Sequence, residues 1–155
     1  VTDFDKTDLR LMALVQQDGR LSNAKLAAAL SISETPCWRR LKRLEEEGVI
    51  EGYQALLSRR KLDLGVLAFV HLSVTQHGEA VTAEIERTIL AADNVLSCHN
   101  VSGDADFMLT VVAKDLDAYS RFVETTLRKL PGVSAIRSTF SLREIKASNR
   151  LPVGP

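Results

Sequence analysis

Ser33-Glu34-Thr35-Pro36-Cys37-Trp38-Arg39-Arg40-Leu41-Lys42-Arg43-Leu44-Glu45-Glu46-Glu47-Gly48 is the stretch whose periodicity decides the N-terminal fold. Ser33 reads as a helix cap, and Pro36 falls in the first turn, where a missing N–H costs little. The helix is expected to end at Glu47, with Gly48 as its left-handed stop. At about 100° per residue, Cys37, Leu41 and Leu44 share one narrow arc. Thr35, Arg39, Lys42, Arg43 and Glu46 lie roughly opposite, with Trp38 at the flank and Arg40 on the other side.

Working outward, two shorter helical patterns precede this one. Asp5 reads as the cap of a helix from Lys6 to Gln17 that buries Leu9, Met12, Leu14 and Val15 and closes at Gly19. Ser22 reads as the cap of a second, Asn23 to Leu30, with Leu26, Ala27 and Leu30 inward. Only Ser31-Ile32-Ser33 separates it from the third, and so short a link makes the helix-turn-helix shape.

The charge order on the third helix favours DNA over a plain solvated face. Four of the five residues from 39 to 43 are cationic. The i,i+4 pairs Lys42–Glu46 and Arg43–Glu47 would each contribute only about 0.2–0.5 kcal/mol, with the cation in the poorer, N-terminal place. Glu45, Glu46 and Glu47 sit at the negative end of the helix dipole, a placement that costs about 0.3–1 kcal/mol per charge. The order is poor for helix stability but sets cations toward the end that enters a groove. In this reading the apolar arc packs inside the domain, Arg39, Lys42 and Arg43 address guanine edges or phosphates, and Thr35 and Trp38 touch thymine methyls. Ser22, at the start of the second helix, presents a hydroxyl and free N–H groups to a phosphate, although simple capping accounts for it equally well.

The chain has 155 residues, 45% apolar and 26% charged, with Lys plus Arg and Asp plus Glu at 20 each. That composition describes one or two small globular domains. Zero formal charge excludes a protein that holds nucleic acid by bulk charge alone. The longest uncharged run, Leu64 to Gly78, carries two His, a Ser, a Thr and a Gln, and is too short for a membrane span of about 20 apolar residues. Asp3, Asp5 and Asp8 stand where a secretory leader would be basic and apolar, and Cys37 and Cys98 are no disulfide framework, so a cytoplasmic location is expected.

Residues 1–50 thus form the helix-turn-helix domain. Residues 51–66 read as a linker, a strand over Val49–Leu57 followed by a charged turn at Arg59, Arg60 and Lys61. Residues 67–155 read as strand 67–76, helix 80–92, strand 95–102, strand 106–113, helix 115–130 and strand 133–145. The fold class is therefore α+β, with a ferredoxin-like βαββαβ domain after the helices. A faint repeat supports that order, Asp93-Asn94-Val95 after one helix and Pro131-Gly132-Val133 after the other. The tail from Ser148 to Pro155 reads as loosely ordered.

In the first strand Ala68, Val70, Leu72 and Val74 make one face, and Leu67, Phe69, His71, Ser73 and Thr75 the other. Phe107, Leu109 and Val111 alternate with Met108, Thr110 and Val112 in the third. Two helices cover one side of such a sheet, so a half-apolar second side favours sheet-to-sheet dimerisation over a ragged but solvated open face. Enzyme chemistry finds no footing. Cys98 and His99 are adjacent on a strand and point to opposite faces. His71 and His77 are too far apart to share a metal, no phosphate loop is present, and Asp104 and Asp106 have no nucleophile nearby. Cys37 reads as a small core residue. Neither a metal nor a cofactor is expected.

The residues from Ser33 to Ile50, quoted above as far as Gly48, resemble the helix-turn-helix signature of the leucine-responsive/AsnC (feast/famine) transcriptional regulators. The resemblance continues through Gly52-Tyr53-Gln54-Ala55-Leu56-Leu57, Cys98 to Asp106, Leu130-Pro131-Gly132-Val133 and Glu144 to Leu151, covering nearly the whole chain. Glu34 stands where many members carry Pro, a harmless change at the first helical position. The resemblance implies a DNA-binding domain followed by an effector domain, pairing through C-terminal sheets, often further assembly of dimers into octamers, and amino acids bound between dimers, with dimer against octamer left open. The family's ligand loop matches Ser102, Gly103, Asp104, Ala105 and Asp106. The strand around Arg137 to Ser141, with Thr139 at its middle, would complete the pocket from a neighbouring subunit. Read without the resemblance, Ser102-Gly103-Asp104 is an ordinary hairpin turn. With it, an amino acid fits, its ammonium meeting carboxylates and its carboxylate meeting backbone N–H groups. The expected function is a sequence-specific transcriptional regulator of double-stranded DNA, tuned by such an effector. The competing reading is a small-molecule sensor whose helical module docks a partner protein.

Overall fold

A computed structural model describes residues 3–75 and 78–153. His77, considered above beside His71, lies outside the described residues, as do the last residues of the expected 67–76 strand and of the tail. The chain forms two compact units: the residues up to Leu56 together with those from Lys146 on, and Leu57–Ile145.

The helical unit holds α1 (Lys6–Gln17), α2 (Asn23–Leu30) and α3 (Glu34–Glu46). Asp5 and Asp8 form a reciprocal capping box at the start of α1. Its interior contribution differs from expectation: Leu11, Met12 and Asp8 are buried, whereas Leu9, Leu14 and Val15 are only half-buried. Gly19 does not close it either. Asp18, in extended conformation, is the C-cap, and a Cβ at Gly19 would stand 2.9 Å from the Tyr53 ring, so this glycine makes room for an aromatic. α2 is capped by the Ser22 hydroxyl, which accepts the Lys25 N–H at 3.3 Å, and it ends on Ser31 in the left-handed region. α3 begins at Ser33, whose side chain makes no capping bond, and stops at Gly48 with φ 70°. Cys37 and Leu44 are fully buried with Leu11 and Leu26, and Leu41 packs against the same cluster.

Residues 51–58 form no helix or strand and pair with no strand among the described residues, which corrects the expected 49–57 strand. A strand needs a neighbour for its N–H and C=O groups, and among the described residues this segment has none. Tyr53 instead turns back to donate its hydroxyl to Glu45 at 2.9 Å. The charged turn is a short 3₁₀ helix, Arg59–Leu62, capped by Ser58 and closed by Asp63 at φ 59°.

The second unit has β1 (Val66–Val74), α4 (Glu79–Leu90), β2 (Val95–Asn100), β3 (Phe107–Ala113), α5 (Leu116–Thr125) and β4 (Val133–Phe140). The strands form one antiparallel sheet in the order β2-β3-β1-β4, the ferredoxin-like arrangement. Ala68, Val70, Leu72, Leu109 and Val111 are buried with Ile85 and Ile89 of α4 and Tyr119 of α5. On the other face Phe69 is 37% exposed, and His71 pairs across to Met108 and Arg137. The helix expected over 115–130 breaks after Thr125 into a 3₁₀ turn, Leu127–Lys129, that buries Leu127. β4 stops at Phe140, earlier than the expected 145.

As far as Val153 the tail is held in place. Gln16 donates to the Leu151 carbonyl at 3.2 Å and accepts the Leu151 N–H at 2.7 Å, and Val153 packs against the helical core. The residues from Lys146 on therefore belong with the helices and not, as their place in the chain suggested, with the sheet.

Candidate nucleic-acid interface and effector loop

α3 presents its outward residues on a firmly seated helix. Its apolar arc is buried, while Trp38 is 54% exposed and Thr35, Arg39 and Lys42 are exposed. Lys42 has only a loose pair with Glu46, at 3.9 Å. Arg43 is exposed with the expected row, its side chain 44% accessible beside 48% for Lys42, and its Nη2 also donates to Asp8 Oδ2 at 2.7 Å. Arg40 Nη1 donates to Asp8 Oδ1 at 2.8 Å and to Asp5 Oδ2 at 2.7 Å. Two of the four cations thus turn toward the first turn of α1. The Asp8 N–H and then the Arg40 guanidinium hold the Asp5 carboxyl below the usual carboxylate range. The same carboxylates push the Arg40 guanidinium pKa upward.

Sequence reasoning missed Asp8, because an acid in a first helical turn reads as a dipole partner on the surface. Its signal was present in the helix period: Asp8 lies one turn from Leu11 and Met12, on the buried face. Asn23 was also missed. Its amide donates to the Glu34 carbonyl at 2.9 Å and ties the start of α2 to the start of α3. Ser22 is exposed beside it, its hydroxyl oxygen already serving as the cap.

The loop between β2 and β3 holds the other set. Ser102, Gly103 and Asp104 are exposed, Gly103 has φ 122°, and a Cβ there would meet nothing within 4 Å. Such an open tip with positive φ suits glycine. Ala105 is 8% exposed, so it packs inward instead of lining a surface. Asp106 accepts the Val74 N–H at 2.7 Å through Oδ2, and its own backbone bonds to Leu72 and Val101. Ser73 donates its hydroxyl to the Asp104 carbonyl at 3.4 Å.

Thr139 lies elsewhere on the sheet. It pairs with Phe69, four residues along β1 from the Ser73 that touches the loop. At about 3.3 Å per residue this is ~13 Å, so the chain does not bring Thr139 to its own loop. Cys98 packs toward the helix-covered core, whereas its neighbour His99 sits opposite Met108. Among the described residues no group of three His, Cys, Asp or Glu side chains is placed to hold a metal. A groove of about 690 Å³ between α5 and β4, walled by Tyr119, Val123, Arg128, Ser134, Ser138 and Phe140, was not foreseen.

Residues 4–51 match the family model described as winged helix-turn-helix DNA-binding, and residues 67–151 match the Lrp/AsnC ligand binding domain. The chain belongs to the Lrp/AsnC family of transcriptional regulators. It is 36% identical to the leucine-responsive regulatory protein of Escherichia coli over 151 residues, 97% of this chain and 92% of that protein. Among solved Lrp/AsnC-like structures, a transcriptional regulator from Neisseria meningitidis in complex with L-methionine superposes with a TM-score of 0.93 at 36% identity, covering 97% of both chains. An AsnC-family transcriptional regulator from Agrobacterium tumefaciens gives 0.92 at 32% identity, covering 96% of this chain and 97% of that one. This Lrp/AsnC chain is a DNA-binding transcriptional regulator whose second unit is the ligand-binding one. Among the described residues no helix is long and apolar enough to cross a membrane.

Proposed function

We propose that this regulator binds double-stranded DNA sequence-specifically through α3, and that a free amino acid at the loop 102–106 sets its occupancy. The observation that carries the DNA contacts is the sorting of α3 itself, with Cys37 and Leu44 sealed inside while Arg39, Lys42, Thr35 and Trp38 stand outside. Ser22 and the N–H groups beside it hold a flanking phosphate. For the effector, the exposed Asp104 carboxylate receives the ammonium, and the open backbone at Ser102 and Gly103 receives the carboxylate. Asp106 holds this loop in place. Thr139 completes the site from a neighbouring protomer. The L-methionine in the Neisseria relative supports an amino acid as the ligand class.

Such a site requires a homo-oligomer. The open sheet face bearing Phe69 and the unpaired segment 51–58, where Leu56 and Leu57 are 88% and 75% exposed, both favour a second copy of the chain as the partner. Dimers that assemble further, to an octamer, place one protomer's β4 against another's loop. The working compartment is the cytoplasm, where DNA and free amino acids meet, and the role is regulatory, with no catalysis and no cofactor.

Duplexes selected by the protein from a random-sequence library, retested by mobility shift over a salt series, test this reading. Specific binding through phosphates weakens by about 0.9 log units per neutralised phosphate for each tenfold rise in salt. A protein that selects no sequence and shows no such slope is instead a docking module for another protein. A thermal-shift screen of the common amino acids tests the effector, because a ligand of the folded state raises the melting temperature in proportion to RT ln(1 + [L]/Kd).

A further inference from the structure

The recognition helix carries cations at four positions, and the structure divides them into two unlike pairs. Arg40 and Arg43, three apart on α3, both reach the first turn of α1; Arg39 and Lys42, also three apart, lie one step round the helix. The carboxylate that receives the first pair is Asp8, only 2% exposed. Its Oδ1 takes Arg40 at 2.8 Å, and its Oδ2 takes Arg43 at 2.7 Å and the Asp5 N–H at 3.3 Å. A second carboxylate, Asp5, takes Arg40 again at 2.7 Å.

We propose that Asp8 is the positioning residue of the DNA-reading helix. It sets the rotation of α3 and pairs off the charges of Arg40 and Arg43, whose side chains stay 31% and 44% exposed, so that Arg39 and Lys42 are the cations whose charge is left for DNA. The proposal rests on the DNA-binding role of α3 and specifies which part of that helix performs it. The physical reasons are two. A buried carboxylate is tolerated only when its charge is paired and its lone pairs are filled, and here both oxygens are occupied by guanidinium groups from a single helix. Two charge-assisted bonds from positions three apart on α3 resist rotation about its own axis, because turning the helix lengthens one or the other. Bidentate reading of a base edge depends on that angle. Locally the charges balance as well. Asp5 and Asp8 neutralise Arg40 and Arg43, whereas Lys42 stands 3.9 Å from Glu46 and Arg39 is exposed beside it.

The test is the salt dependence of binding, measured with the full-length protein on a duplex it has selected from a random library and on a scrambled duplex of the same composition. Lys42→Gln is expected to flatten the slope of log affinity against log salt by about 0.9 for the phosphate left without its cation, whereas Arg39→Gln, at a base edge, should lose affinity for the selected duplex alone. Arg43→Gln should keep the wild-type slope yet narrow the preference for the selected duplex several-fold, because the helix is no longer held in register. Asp8→Asn should steepen the slope on the scrambled duplex, as two released guanidinia find phosphates, while narrowing the same preference. Should Asp8→Asn fail to fold, Arg43→Gln carries the test together with Arg40→Gln, which is expected likewise to keep the slope and narrow the preference. The proposal is overturned if Arg43→Gln flattens the slope as much as Lys42→Gln does, or if Asp8→Asn retains full preference. A wild-type protein with no slope at all would instead remove the DNA-binding reading on which the proposal stands.

Discussion

Asp106 Oδ2 accepts the backbone N–H of Val74 at 2.7 Å, and this bond fastens the loop between β2 and β3 to the end of β1 where the β1–β4 pairing slips register. The loop's neighbouring acid, Asp104, has an exposed side chain, and its carbonyl is engaged by Ser73. One carboxylate thus builds the loop and the other faces outward from it.

Asp106→Ala is therefore expected to cost about 1–3 kcal/mol, the penalty for a buried or half-buried donor left without its acceptor. It should also abolish the thermal shift produced by the amino-acid effector. Asp104→Ala should leave the melting temperature of the free protein nearly unchanged and still abolish the shift. Thermal unfolding with and without amino acids distinguishes the two, and equal destabilisation by both variants would contradict the division of labour.

Arg39→Ala should lower specific DNA affinity by about 1–3 kcal/mol, the range of a base-reading arginine. A mobility-shift titration on the selected duplex measures it, and unchanged affinity would remove Arg39 from the interface.

The Gln16–Leu151 pair makes two hydrogen bonds between α1 and the chain's last residues. Gln16→Ala should weaken the helical unit by about 1 kcal/mol. Hydrogen exchange of the α1 amides should quicken accordingly, with β1 and β3 unaffected. Exchange rates that stay the same would mean the pair carries no stability.

Phe69 is 37% exposed at the centre of the open sheet face. Phe69→Asp leaves the helix-covered core intact and places a charge where a second sheet would pack. Sedimentation should show the wild type as a dimer or larger and the variant with a smaller mass; an unaltered mass would exclude this face from the contact.

Two acid groups give opposite pH behaviour. Asp5 is held below its usual value by the Asp8 N–H and Arg40. Its stabilising contribution is therefore complete above the ordinary aspartate range, about 3.9, and is lost as pH falls through the lowered folded value. Tyr53 is pushed up to about 12, by burial first and by its bond to Glu45 second. Its contribution is complete below the ordinary tyrosine value, about 10, and is lost as pH rises through the folded one. A phenolate absorbance titration should find the Tyr53 transition lowered in Glu45→Gln but still above the ordinary value, since burial remains. An unshifted transition would show the bond to be absent in solution.

Local pattern alone determined a good deal of this protein. The Asp5 and Ser22 caps, the apolar arc of Cys37, Leu41 and Leu44, the Gly48 stop and the alternation along β1 are each written within a few residues, and the βαββαβ order follows from the strand and helix periods that alternate after residue 66. Helix and strand periods are properties of the backbone, so residues that obey them announce their own faces. Tertiary structure alone decided the rest: that Asp8 is buried and claims Arg40 and Arg43, that Gly19 yields to Tyr53, that the tail returns to Gln16, and that residues 51–58 find no partner strand among the described residues. Each of these depends on groups far apart in the chain, where pairing follows from what the fold brings near, and no local period records it.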